Sequence, residues 1–136
     1  MNIEEKKQLV YRQYEEVMNK KNLDMIDADF ADNFVDHEAA PGAQPGREGL
    51  KHWLRHLHDV VSDFEVMIED ILIDGDKVAV RNLWRGTHTG PFLGMPPTGK
   101  RFEVKGIVIW RIENGKLQER WATFDLWALH KQLGMG

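Results

Sequence analysis

The first half of the chain places apolar residues at helical spacing. Val10, Tyr14, Val17 and Met18 fall at i, i+4, i+7 and i+8 on an otherwise charged segment, the stripe of an amphipathic helix. Asn2, with Glu5 three residues on, reads as its capping box. Leu23, Ile26 and Phe30 predict a second, shorter helix after Asn22, and Asn33-Phe34-Val35-Asp36-His37 a brief strand. Ala39 to Gly46 holds two Pro and two Gly and reads as loop. A third helix is predicted from about Arg47 to Val61, burying Leu50, Trp53, Leu54, Leu57, Val60 and Val61.

After Asp63 the period changes to two. Phe64, Val66 and Ile68 alternate with polar residues, and Ile71 and Ile73 continue on the opposite parity, which predicts a β-bulge. Asp74-Gly75 marks a tight turn into a strand carrying Val78, Val80 and Trp84. A second hairpin, Phe102 to Ile112 and Leu117 to about Trp127, turns at Asn114-Gly115, and a final helix runs from Leu126 to Leu133. Helices followed by long strands predict an α+β fold. Its expected form is a cone-shaped roll of three N-terminal helices packed in a curved, bulged antiparallel sheet enclosing an apolar pocket. With no repeats or linkers, residues 1–136 read as one domain.

Composition narrows the chemistry. Lys and Arg number 18 against 22 Asp and Glu, a net charge of −4 with no basic cluster longer than a pair, so no nucleic acid partner is expected. Cysteine is absent, which removes thiolate metal sites and cysteine catalysis. No leader-like or membrane-length apolar run is seen, so a soluble, cytoplasmic protein with no membrane partner is expected. The single serine, Ser62, leaves hydroxyl nucleophiles almost nowhere to stand, and phosphate- and dinucleotide-binding glycine motifs are lacking. Five Trp, six Phe and two Tyr supply more aromatic surface than a small core needs. Trp53, Trp84, Trp110, Trp121 and Trp127 are spread over helix and strands so that several can converge on one cavity.

Proton transfer by carboxylate and imidazole remains. Glu119, Trp121, Thr123 and Asp125 share a parity with Leu117, so without a bulge they face one way. On a concave, aromatic face, desolvation raises the pKa of Asp125 and suits it to acid/base work. Asp125 is equally placed to cap the final helix. His52 and His56 are one helical turn apart, but Trp53 stands where a zinc protease motif needs Glu, and no metal is expected. His56, beside Trp53 in projection, is placed to line a pocket wall. His37 and His88 fall where sheet meets loop, positions from which either can bind a substrate carbonyl or orient Asp125.

The run Trp84-Arg85-Gly86-Thr87-His88-Thr89-Gly90-Pro91-Phe92-Leu93-Gly94-Met95-Pro96-Pro97-Thr98-Gly99-Lys100 resembles the SnoaL-like polyketide cyclase family. So do Phe34-Val35-Asp36-His37, Gly46-Arg47-Glu48-Gly49, and the ending Glu119-Arg120-Trp121, Asp125 and Gln132-Leu133-Gly134. The resemblance runs from about Tyr11 to Gly134 and implies the nuclear transport factor 2-like α+β cone. It also implies cofactor-free ring closure of a polyketide ester by intramolecular aldol condensation, with Asp125 in the position of the acid/base.

The function expected is therefore acid/base catalysis on a hydrophobic carbonyl compound. Asp125, His88 and His37 are the catalytic candidates, and Trp53, His56, Trp84, Trp110 and Trp121 the substrate-binding ones. A related isomerase, dehydratase or hydrolase, or a non-catalytic module for a small apolar ligand, would use the same pocket. The sheet's outer face is expected to pair copies into a homodimer or homotetramer.

Overall fold

The structure is a computed structural model that describes residues 1–39, 42–91 and 96–134. Ala40 and Pro41 of the predicted loop, and Phe92, Leu93, Gly94 and Met95 of the long motif, lie outside the described residues. Helix α1 spans Ile3–Arg12 and continues as π-helical turns over Gln13–Asn19. Its capping box forms as expected, with the Glu5 N–H donating to Asn2 Oδ1 at 2.8 Å. Val10, Tyr14 and Val17 bury the stripe. At its end Asn19 bonds both backbone groups of Val66 at 2.8 and 2.9 Å, clamping the helix to the sheet edge. Helix α2 is Met25–Asp29, and Phe30, read as helical, instead opens strand β1, Phe30–Asp36.

Helix α3 runs Gly46–Val60 and buries Leu50, Leu54, Leu57 and Val60, together with His58. Trp53 is 39% exposed, so the expectation that it joins the buried face is corrected. Strands β2, Glu65–Asp74, and β3, Lys77–Thr87, pair antiparallel around Gly75, whose φ is +60°. The register shifts between Ile68 and Asp70, and this bulge keeps both Ile68 and Ile71 opposite inward-facing partners, Asn82 and Val80.

Strand β4, Arg101–Glu113, alternates without a break: Phe102, Val104, Gly106, Val108, Trp110 and Ile112 face inward. Strand β5, Lys116–Phe124, follows a turn at Asn114-Gly115 and ends three residues short of Trp127. The sheet order is β1-β5-β4-β3-β2. It is mixed rather than purely antiparallel, because β1 pairs with β5 in parallel. Helix α4, Leu126–Gln132, is pinned to β4 by the Gln132 amide, which exchanges two hydrogen bonds with the Glu103 backbone at 2.7 and 2.8 Å. Leu129 and Leu133 are buried with the core. No helix among the described residues is long and apolar enough to cross a membrane.

Candidate functional site

A second bulge decides what the site contains. Ile112 pairs with Leu117 but Arg111 pairs with Glu119, so Gln118 is an extra residue in β5. Leu117 is fully buried. Beyond Gln118 the faces exchange. Arg120, Ala122 and Phe124 oppose inward Trp110, Val108 and Gly106, while Glu119, Trp121 and Thr123 oppose outward Arg111, Ile109 and Ile107. The shared face expected for Trp121 and an inward-facing Asp125 is therefore corrected.

The inner side of the sheet closes over a narrow cleft walled by Leu57, Phe64, Trp84, Phe102, Val104, Phe124 and Leu129. Phe124 and Phe64 pack on the Trp84 ring at centroid distances of 4.9 and 5.9 Å. Among the described residues the cleft has room for about one water molecule, so the apolar pocket expected from the sequence is represented only by this narrow, apolar-lined cleft. A wider, open groove lies between α1 and β2, lined by Tyr11, Tyr14, Glu15, Asn19 and residues 65–68.

Asp125 follows Phe124 in the chain and precedes Leu129 by four residues; both of these line the cleft, and Asp125 is not among its lining residues. It is exposed, and its Oδ1 accepts from the Ala128 N–H at 2.9 Å as the N-cap of α4. Its own N–H donates to the Lys105 carbonyl at 3.0 Å. The capping alternative is thus realised, and the enclosed aromatic surroundings are not. Oδ2 has no hydrogen-bond partner among the described residues.

The other expected site residues scatter. Trp84 lines the cleft. Trp110 is 2% exposed in the core, with the rings of Tyr14, Phe30 and Phe34 at 6.2, 6.1 and 6.3 Å, and it does not line the cleft. Trp53 and His56 lie on the exposed side of α3. His37 stacks on Trp121 on the outer face, 4.8 Å between centroids and 7° between planes. Its Nε2 is 2.7 Å from Glu119, whose other oxygen accepts from Arg111 Nε at 2.6 Å. Hydrogen bonds from His37 first, then Arg111, hold the Glu119 carboxyl below the usual range.

His88 is fully buried. Its backbone N–H donates to the Lys100 carbonyl and its carbonyl accepts from the Gly99 N–H, while Nδ1 lies 3.0 Å from Thr98 Oγ1. Thr89 and Gly90 both donate to the Val60 carbonyl, and a Cβ on Gly90 would sit 2.8 Å from Val60 Cα. The described part of the glycine-rich motif therefore fastens its loop to the end of α3. Asn82 and Tyr14 were not singled out from the sequence. Asn82, 1% exposed, donates to the Tyr14 hydroxyl at 3.0 Å, as does Trp110 Nε1 at 3.4 Å. The signal was a polar residue on the inward parity of Val78, Val80 and Trp84.

With this geometry in view, the comparisons with known proteins are specific. The family model described as SnoaL-like polyketide cyclase matches residues 8–133. Nogalonic acid methyl ester cyclase of Streptomyces nogalater is 32% identical over 72 residues, 52% of this chain and 54% of that protein. The chain thus spans about half the length of the curated relatives it matches. The structure of TsrD from Streptomyces laurentii superposes with a TM-score of 0.92 at 29% identity, over 100% of this chain and 99% of that one. A SnoaL-like polyketide cyclase from Agrobacterium tumefaciens shares the fold, with a TM-score of 0.79 at 23% identity over 92% of this chain and 95% of that one.

Proposed function

The chain belongs to the SnoaL-like polyketide cyclase family, and on that premise we propose that it is a cofactor-independent cyclase, one domain over residues 1–136, acting on a hydrophobic carbonyl compound. Asp125 is the acid/base. The observation that supports this reading is that Asp125 directly follows Phe124 in the chain and comes four residues before Leu129, two residues that wall the cleft, with one oxygen held by Ala128 and the other unengaged. Asp125 removes a proton from a carbon flanked by two carbonyls, and the enolate spreads its charge over the substrate's conjugated system. The carbanion adds to a ketone of the same molecule, and Asp125 returns its proton to the new alkoxide. Holding the two carbons together supplies much of the rate. Because the cleft is narrow, the side chains around Trp84 part as substrate enters.

The decisive measurement is solvent deuterium exchange at the α-carbon of β-dicarbonyl compounds. Asn caps helices as well as Asp does, so Asp125→Asn keeps the fold and removes only the base. Exchange is expected to fall at least about a hundredfold in the variant. Equal exchange by both proteins would favour the second reading, a non-catalytic binding module, which the exposure of Asp125 suits. We also propose that a second copy covers the outer face of the sheet. There Leu72, Ala79, Ile109 and Trp121 form one row across four strands, with Leu72 68% and Ile109 37% exposed.

A further inference from the structure

We propose that the groove between α1 and β2 binds a small flat molecule through a primary carboxamide or a lactam, held by the backbone of Ile68. β2 is an edge strand, because the sheet order ends on it. In an antiparallel pair, the N–H and C=O of alternate residues turn away from the partner strand. At Val66 both groups turn away from β3 and meet the Asn19 side chain. Asn19 Nδ2 donates to the Val66 carbonyl at 2.9 Å, and Oδ1 accepts from the Val66 N–H at 2.8 Å. The register is regular from Val66, opposite Trp84, to Ile68, opposite Asn82. Ile68 therefore presents the same two groups on the same edge, roughly 7 Å further along. Asn19 satisfies the first pair, and no side chain or loop among the described residues bonds to the second.

Val66 and Ile68 both line the groove, whose volume of about 360 Å³ suits a small aromatic molecule. Tyr11 and Tyr14 line it too and supply its aromatic surface. α1 runs antiparallel to β2, with Asn19 at Val66 and, at the other end, Lys6 bonded to the Gly75 carbonyl. One helical turn back from Asn19, about 5 Å along the axis, Glu15 comes level with Ile68. The Glu15 carboxylate has no hydrogen-bond partner among the described residues, so it can accept the second N–H of a primary amide. The edge has room for one amide only. Asn19 occupies the position before Ile68, and the bulge between Ile68 and Asp70 breaks the ladder after it. An added peptide strand needs several such positions in a row, which leaves a single amide as the fitting ligand. The Asn19 pairing also sets the geometry required. Donor and acceptor lie on the same side of the C–N bond in a primary carboxamide or a lactam, whereas a trans secondary amide points them apart.

Titration of the isotope-labelled chain, followed by backbone amide NMR, tests this with benzamide, isoindolinone, N-methylbenzamide and benzoate. Benzamide and the lactam isoindolinone are expected to move the Ile68 amide proton downfield. Both are expected to bind about tenfold more tightly than N-methylbenzamide, with benzoate weakest. Glu15→Ala is expected to weaken benzamide about threefold and to leave isoindolinone, which has no second N–H, unchanged. Ile68→Pro removes the donor at an edge position that proline tolerates, and is expected to abolish binding of both. If Ile68→Pro does not fold, the probe ranking and the Ile68 shift on the wild type decide alone. Equal affinity for benzamide and N-methylbenzamide, saturable shifts that spare Ile68, or binding of none of the probes would overturn the inference. The groove is separate from the cleft, so Asp125→Asn leaves these titrations unchanged and their failure leaves the role of Asp125 untouched.

Discussion

At the scale of single residues, the buried histidine of α3 shows how local surroundings set a measurable property. Burial first of all lowers the His58 imidazole below its ordinary 6.5, against an opposing hydrogen bond to the Met18 carbonyl at 2.8 Å. As pH falls, the unfolded chain therefore takes up this proton before the folded one does. The stability contributed by neutral His58 is complete above about pH 6.5 and is lost as pH drops through the lower folded value. Urea midpoints are expected to fall between about pH 7 and pH 5, and His58→Gln to flatten that decline. An unchanged slope in the variant would remove His58 as its cause. The same scale bounds what sequence could tell. Asp125 was legible as a helix cap, because that follows from residue type and position. Its exposure was not legible, because that depends on where β5 ends. Trp121 was assigned to the inner face by counting in twos from Leu117, and Ala122 and Phe124, apolar on the other parity, were the overlooked sign that the count had slipped.

At the scale of elements, α3 carries at its fourth residue, Gly49, a glycine that contradicts helix propensity. Ala for Gly inside a helix ordinarily stabilises by about 1 kcal/mol. At Gly49 a Cβ would overlap the Gln44 carbonyl oxygen of the loop folded back on the helix start. Gly49→Ala is therefore expected to destabilise by about 1–3 kcal/mol, read as a lower urea midpoint with an unchanged m-value. A stabilised variant would show that the loop moves aside freely. Helices, hairpins and the bulge in β2 were legible because hydrophobic period and turn residues are local signals. The parallel pairing of β1 with β5 was not, since nothing in either segment marks a partner about 85 residues away.

At the scale of the whole molecule, Trp53 and Trp127 are exposed on helices, and the other three tryptophans divide between three surroundings. Trp110 anchors the core, Trp84 walls the cleft, and Trp121 lies on the outer face under His37. Composition gave their number, and only the assembled sheet gives their division. A second copy on the outer face would bury the row from Leu72 to Trp121 against itself, the self-complementary arrangement of a two-fold dimer. Sedimentation is expected to return at least twice the 15.8 kDa of one chain, with Ile109→Glu reverting to a single chain. A wild-type mass of 15.8 kDa at micromolar concentration would exclude the dimer.

The extra residue in β5 has a consequence for how this chain can change over evolutionary time. Gln118 acts as a frame marker: every position after it is read inward or outward according to whether it is present. Point substitutions beyond it alter one contact each. Deleting Gln118 would instead shift the frame, turning Glu119, Trp121 and Thr123 toward the core and expelling Arg120, Ala122 and Phe124 together. One codon thus separates a strand that walls the cleft from one that cannot, and relatives that vary freely in loop length are expected to keep the length of this strand.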